Sequence, residues 1–149
     1  MLAIRLDHVA VTVSNMERSL QFYRDQLGLV VQGSHDLEGS TVSVMAGKDK
    51  VRMKVVTLAC PQNSDVRIDL QQYIEPEGKQ SDSLLGDIAN SHICIEVQDI
   101  DEAYRKLKGN GVEFVSAPVV FDLGVNGKVS CVFFMDPDRY ILELVEYRK

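Results

Sequence analysis

A chain of 149 residues, 45% hydrophobic and 26% charged, has the composition of a globular domain and enough length to bury a sizeable core. Its net charge is −6 and no Lys/Arg cluster exists beyond Arg148-Lys149, which argues against a nucleic-acid partner; no apolar run is long enough for a membrane span. Cys60, Cys94 and Cys131 lack CxxC spacing and are expected as buried, reduced thiols, and Met1 to Arg5 lacks the apolar stretch of a secretion signal, so a cytoplasmic protein is expected.

In chain order, Asp7 to Val13 alternates like a strand, with Val9, Val11 and Val13 on one face and His8, Ala10 and Thr12 on the other. Asn15 then stands as the N-cap of a helix whose Met16, Leu20, Tyr23 and Leu27 recur at three-to-four spacing, and Gly28 ends it. Strands are predicted over 29–34, 51–59 and 66–73. Around His35 to Lys50 the first half carries about ten extra residues, of which 40–47 reads equally well as a short helix or a strand. His35 reads as a surface residue. A polar segment with Pro76 and Gly78, over residues 75–90, reads as the linker between modules covering 4–74 and 91–149 of a single domain.

The second module repeats the first. Ser91-His92-Ile93-Cys94-Ile95-Glu96-Val97 matches the opening strand, and Asp99 caps a helix carrying Ile100, Ala103, Tyr104 and Leu107 and ending at Gly111. Strands are predicted over 113–115, 128–135 and 141–147, the last matching Ile68-Asp69-Leu70-Gln71-Gln72-Tyr73. Two duplicated units, each reading strand, helix, then strands, predict an α+β fold of two βαβββ modules.

Alternation also selects the candidate site. His8 and His92 sit on the more polar face of the opening strands, and Asp69 and Glu143 on that of the closing strands. Duplicated halves brought together would gather these four side chains. Two imidazoles and two carboxylates suit Zn²⁺, Ni²⁺, Co²⁺, Mn²⁺ or Fe²⁺. A single strand histidine is more often structural than a ligand; its recurrence at one repeat position, each time with a carboxylate, favours the metal.

Leu6-Asp7-His8-Val9-Ala10-Val11-Thr12-Val13, Ser19 through Phe22-Tyr23 to Leu27-Gly28-Leu29, Ser91-His92-Ile93, and Asp136-Pro137-Asp138 leading to Leu142-Glu143-Leu144 follow one another in a fairly specific order. In this the chain resembles the vicinal oxygen chelate superfamily, which includes glyoxalase I, methylmalonyl-CoA epimerase, extradiol dioxygenases and bleomycin resistance proteins. The resemblance implies a half-open mixed β-barrel around a cavity, a divalent metal held by His8, Asp69, His92 and Glu143, a small-molecule substrate and a homodimer. It further implies proton transfer by Glu143 and Asp69, in a lyase or isomerase of glyoxalase or epimerase type. A ring-cleaving Fe(II) dioxygenase using His8, His92 and Glu143, or a ligand-sequestering protein without chemistry, are the alternatives. Three departures stand out: Asp69 is one methylene shorter than the usual Glu, Arg139 occupies a turn position usually held by Gly, and the 35–50 surplus is unusual for the shortest glyoxalases.

Overall fold

In the computed structural model, which describes residues 2–82 and 84–148, the chain divides into two compact units with the boundary between Ser81 and Asp82. Each is a four-stranded mixed sheet with helical cover, so the α+β class and the duplication both hold. Among the described residues no helix is long and apolar enough to cross a membrane.

The first unit contains β1 (His8–Thr12), α1 (Met16–Leu20), β2 (Val30–Glu38), α2 (Ser40–Ala46), β3 (Arg52–Cys60) and β4 (Asn63–Glu75). α1 runs on into wider π-helical turns over Gln21–Gln26. Strand order is β1-β4-β3-β2, with β1 parallel to β4 and the other neighbours antiparallel. Val11, Val13, Leu70 and Tyr23 are buried as alternation and helical spacing predict, although Val9 keeps 37% exposure.

Two bonds fix the start of α1. Asn15 Oδ1 accepts from Arg18 N at 2.9 Å, and Gln72 Oε1, reaching from β4, accepts from Met16 N at 2.8 Å. Both acceptors satisfy N–H groups that the first helical turn leaves without an intrahelical partner.

The surplus segment resolves into two pieces. His35 to Glu38 extend β2, and the rest forms α2, which ends at Gly47 in the left-handed conformation with φ 61°. Val42 and Ala46 of α2 pack on Val51, Met53, Val55 and Tyr73. Met53 and Val55 alternate in step with Thr57, and Tyr73 with Asp69, so α2 covers one end of the face that carries Asp69.

The second unit contains β5 (Ile93–Glu96), α3 (Ile100–Gly109), β6 (Val119–Asp122), β7 (Lys128–Met135) and β8 (Ile141–Arg148), in the order β5-β8-β7-β6. This is the strand order of the first unit. The capping is duplicated as well: Asp99 Oδ1 accepts from Glu102 N at 2.8 Å, and Glu146 Oε2 on β8 accepts from Ile100 N at 2.9 Å.

One predicted strand moves. Residues 113–115 form only a single bridge, Phe114 to Phe134, and regular pairing resumes at β6. Ser116-Ala117-Pro118 intervene, and a proline offers no N–H to the ladder, so the edge strand is interrupted there. The turn before β8 is held by the buried Asp136, whose Oδ1 accepts from Asp138 N and Tyr140 N at 2.8 Å each. Arg139 within it has φ 67°, the left-handed conformation expected from the glycine it replaces.

Candidate metal-binding residues

β1 lies beside β4 with His8 opposite Arg67 and Ala10 opposite Asp69, so the histidine and the carboxylate are diagonal neighbours on one face. His8 Nε2 stands 3.7 Å from Asp69 Oδ2. In the second unit Cys94 is opposite Glu143 and His92 precedes β5 by one residue, which sets up the same diagonal. There His92 Nε2 stands 3.1 Å from Glu143 Oε2. The structure therefore brings His8 to Asp69 and His92 to Glu143, each within its own unit. No group of three or more His, Cys, Asp or Glu side chains arranged for a metal occurs among the described residues.

The two pairs differ in their supports. Asp69 is 16% exposed, and its Oδ1 accepts from Thr57 Oγ1 at 2.6 Å, from the register partner on β3. That bond fixes the carboxylate and leaves Oδ2 toward His8. The partner of Glu143 on β7 is Phe133, whose ring meets His92 edge-on with centroids 5.1 Å apart. An aromatic edge packs the imidazole and offers the carboxylate no hydrogen bond.

Cysteines complete the second pair's surroundings. Burial first, and then the neighbouring Glu143 carboxylate, push the Cys94 thiol up to about 12, even though the residue keeps an exposed edge. The same causes raise Cys131. Both are neutral hydrogen-bonding thiols. All three cysteines are free, and the expectation that they are buried is corrected: Cys60 and Cys94 are exposed, and Cys131 is half-buried.

His8 has a further partner that alternation did not single out. Its Nδ1 lies 3.0 Å from Asp7 Oδ2. Asp7 also receives Arg5 Nη2 on Oδ1 at 2.7 Å and Arg67 Nη2 on Oδ2. The bonds from His8 and Arg67 hold its carboxyl below the usual carboxylate range. Arg67 is thus engaged with the Asp7 carboxylate. His35 is exposed on β2, as expected. A shallow groove of about 730 Å³ beside α2, with Ser43, Lys48 and Pro76 in its lining, shares no residue with the His8–Asp69 pair.

Each unit's pair offers an imidazole nitrogen and a carboxylate oxygen, donor types that fit a borderline divalent cation, and in the first unit both are braced by outer partners, as metal ligands commonly are.

The chain has known relatives in sequence and in fold. The chain is 29% identical over 147 residues to a lactoylglutathione lyase of Neisseria meningitidis serogroup A, covering 96% of this chain and 91% of the relative. It is 32% identical over 136 residues to the mitochondrial methylmalonyl-CoA epimerase of Mus musculus, covering 89% of this chain and 66% of the relative. Among solved structures, a glyoxalase family protein from Bacillus cereus matches with a TM-score of 0.83 at 18% identity, over 99% of this chain and 96% of that one. The trypanothione-dependent glyoxalase I of Leishmania major matches with a TM-score of 0.65 at 23% identity, over 97% of this chain and 87% of that one. The family model described as Glyoxalase/Bleomycin resistance protein/Dioxygenase superfamily matches residues 5–144, and the chain belongs to that superfamily.

Proposed function

We propose that this protein is a metal-dependent lyase or isomerase of glyoxalase or epimerase type, acting on a small carbonyl or thioester substrate in the cytoplasm. The observation that carries the reading is the repeated diagonal: a histidine nitrogen facing a carboxylate across the parallel strand pair of each unit, at 3.7 Å and 3.1 Å. His8, Asp69, His92 and Glu143 are the residues that would hold the metal. When bound, it supplies a Lewis acid that polarises a carbonyl and acidifies the adjacent C–H.

The supports divide the labour between the carboxylates. Asp69, short and braced by Thr57, is suited to a fixed role. Glu143 is longer by one methylene and has weak thiol donors and an aromatic register partner in place of a hydroxyl brace, so it is the carboxylate freer to reach a substrate carbon. Glu143 takes the proton from the carbon beside the carbonyl and returns it, to the same carbon in an epimerisation or to the neighbouring one in an isomerisation. Either sequence is redox-neutral and needs no further reactant.

The test is metal analysis of the purified protein, followed by solvent-deuterium exchange into hemithioacetals and branched acyl thioesters. Glu143→Gln is expected to lose about 10²–10⁴ of the rate with its fold kept. Full activity in that variant would remove Glu143 as the base. Loss of bound metal in a His8→Ala/His92→Ala double variant is the companion result, and retention would overturn the ligand set.

One observation favours a second reading. Thr57 draws Asp69 Oδ1 at 2.6 Å and Asp69 Oδ2 is the more distant of the two carboxylates from its histidine. If Asp69 Oδ2 does not ligate, then His8, His92 and Glu143 have the two-histidine, one-carboxylate composition of non-haem Fe(II) oxygenases. Iron in the purified protein and oxygen uptake with catechols would select this reading over the first.

A further inference from the structure

We infer that Asp7 is a positioning residue that locks His8 in the tautomer with the proton on Nδ1, leaving Nε2 bare toward Asp69, so that the two histidines of the candidate metal set are prepared differently. An ionised carboxylate only accepts hydrogen bonds, so across the 3.0 Å contact between His8 Nδ1 and Asp7 Oδ2 the imidazole must be the donor. His8 Nε2 and Asp69 Oδ2 are 3.7 Å apart, beyond hydrogen-bond reach, so nothing there competes for the proton. The second imidazole reverses this. His92 Nε2 is 3.1 Å from Glu143 Oε2, within reach, so the proton of His92 belongs on Nε2, the nitrogen that faces the carboxylate.

Asp7 is itself held in place. Arg5 donates to Oδ1 at 2.7 Å, Arg67 donates to Oδ2 through its side chain, and the Arg67 backbone N–H donates to the Asp7 carbonyl at 3.2 Å. Arg67 is also the register partner of His8, so one residue of β4 fixes both the histidine's strand position and its carboxylate partner. The device is confined to the first unit. Ser91 stands where the repeat has Asp7, and its hydroxyl lies 3.3 Å from Tyr140 Oη. A metal ligand whose far nitrogen is already committed to a carboxylate is oriented and more basic before metal arrives. This consequence for metal affinity rests on the reading proposed above; the tautomer itself does not.

The experiment is long-range ¹H–¹⁵N NMR of the histidine rings in chelator-treated full-length protein, paired with zinc affinity measured by competition with a chromophoric chelator. In the unsubstituted protein His8 is expected as Nδ1–H and His92 as Nε2–H. Asp7→Asn preserves shape while its amide can offer either oxygen or NH₂, so His8 is expected as a tautomer mixture, with zinc affinity about 10–100-fold lower. Asp7→Ala removes the partner altogether and should match or exceed that loss. His8 as Nε2–H in the unsubstituted protein, or an unshifted His8 tautomer in both variants, would overturn the assignment. The expected tautomers together with no zinc binding would support the role of Asp7 and instead remove the metal-dependent function.

Discussion

Replacing Thr57 with Val removes one hydrogen-bond donor while keeping a branched β-strand residue of the same shape. In the structure Thr57 Oγ1 donates to Asp69 Oδ1 at 2.6 Å, and Asp69 is 16% exposed, so little water is available to substitute. Hydrogen bonds to charged groups contribute about 1.5–3 kcal/mol net, and a loss of about 2 kcal/mol is expected here. For a domain of this size each kcal/mol corresponds to about 2–4 °C in Tm, giving an expected drop of about 4–8 °C in metal-free protein. Zinc affinity should also fall, by about tenfold or more, because the carboxylate loses its orientation. Urea denaturation followed by circular dichroism reads the first quantity, and chelator competition the second. Thr57→Ser should recover most of both, and in an Asp69→Asn background the Thr57→Val effect should shrink. Unchanged stability and unchanged zinc affinity in Thr57→Val would refute the claim that this hydroxyl braces the carboxylate.

Three further outcomes follow from the fold. Phe134 is fully buried and stacks on Phe114 with ring centroids 5.5 Å apart, so Phe134→Ala should lose about 3–5 kcal/mol in denaturant unfolding. Arg139→Gly should gain about 0.5–1 kcal/mol, because relief of the φ 67° strain outweighs loss of an exposed ion pair with Glu113; Arg139→Ala, which keeps the strain, should gain nothing. Glu146 is held below its ordinary 4.5 first by the Ile100 N–H and then by Arg148. A depressed folded value means its stabilisation is complete above 4.5 and is lost as pH falls through the lower folded value. Glu146→Gln, which reproduces the neutral Gln72 cap of the first unit, should therefore flatten the acid limb of stability against pH by lowering neutral-pH stability toward the acid value, with stability below the folded value nearly unchanged.

Much of this fold was legible along the chain. The duplication placed both opening strands, both N-caps at Asn15 and Asp99 and the helix ends at Gly28 and Gly111, all of which occur as predicted. It also singled out His8, Asp69, His92 and Glu143, and the structure pairs each histidine with the carboxylate of its own half. Arg139 in the left-handed region was equally visible, because one residue stood where a turn calls for glycine. These features depend on local periodicity or on single positions in a repeat, and a linear sequence displays both.

The rest was decided by strand pairing. Residues 40–47 carried no periodicity that separated helix from strand; packing of Val42 and Ala46 on Met53, Val55 and Tyr73 settled it as α2. The edge strand of the second unit moved to Val119–Asp122 because Pro118 interrupts the ladder. Thr57 braces Asp69 as its register partner, Arg67 holds Asp7 from the position opposite His8, and Gln72 and Glu146 reach helix N-termini from the closing strands. Register depends on backbone hydrogen bonds between residues far apart in the chain, and a slip of one residue would turn each of these side chains to the other face. Composition and repeat therefore determined which residue types recur and on which face, while only the tertiary structure chose the partners that orient them.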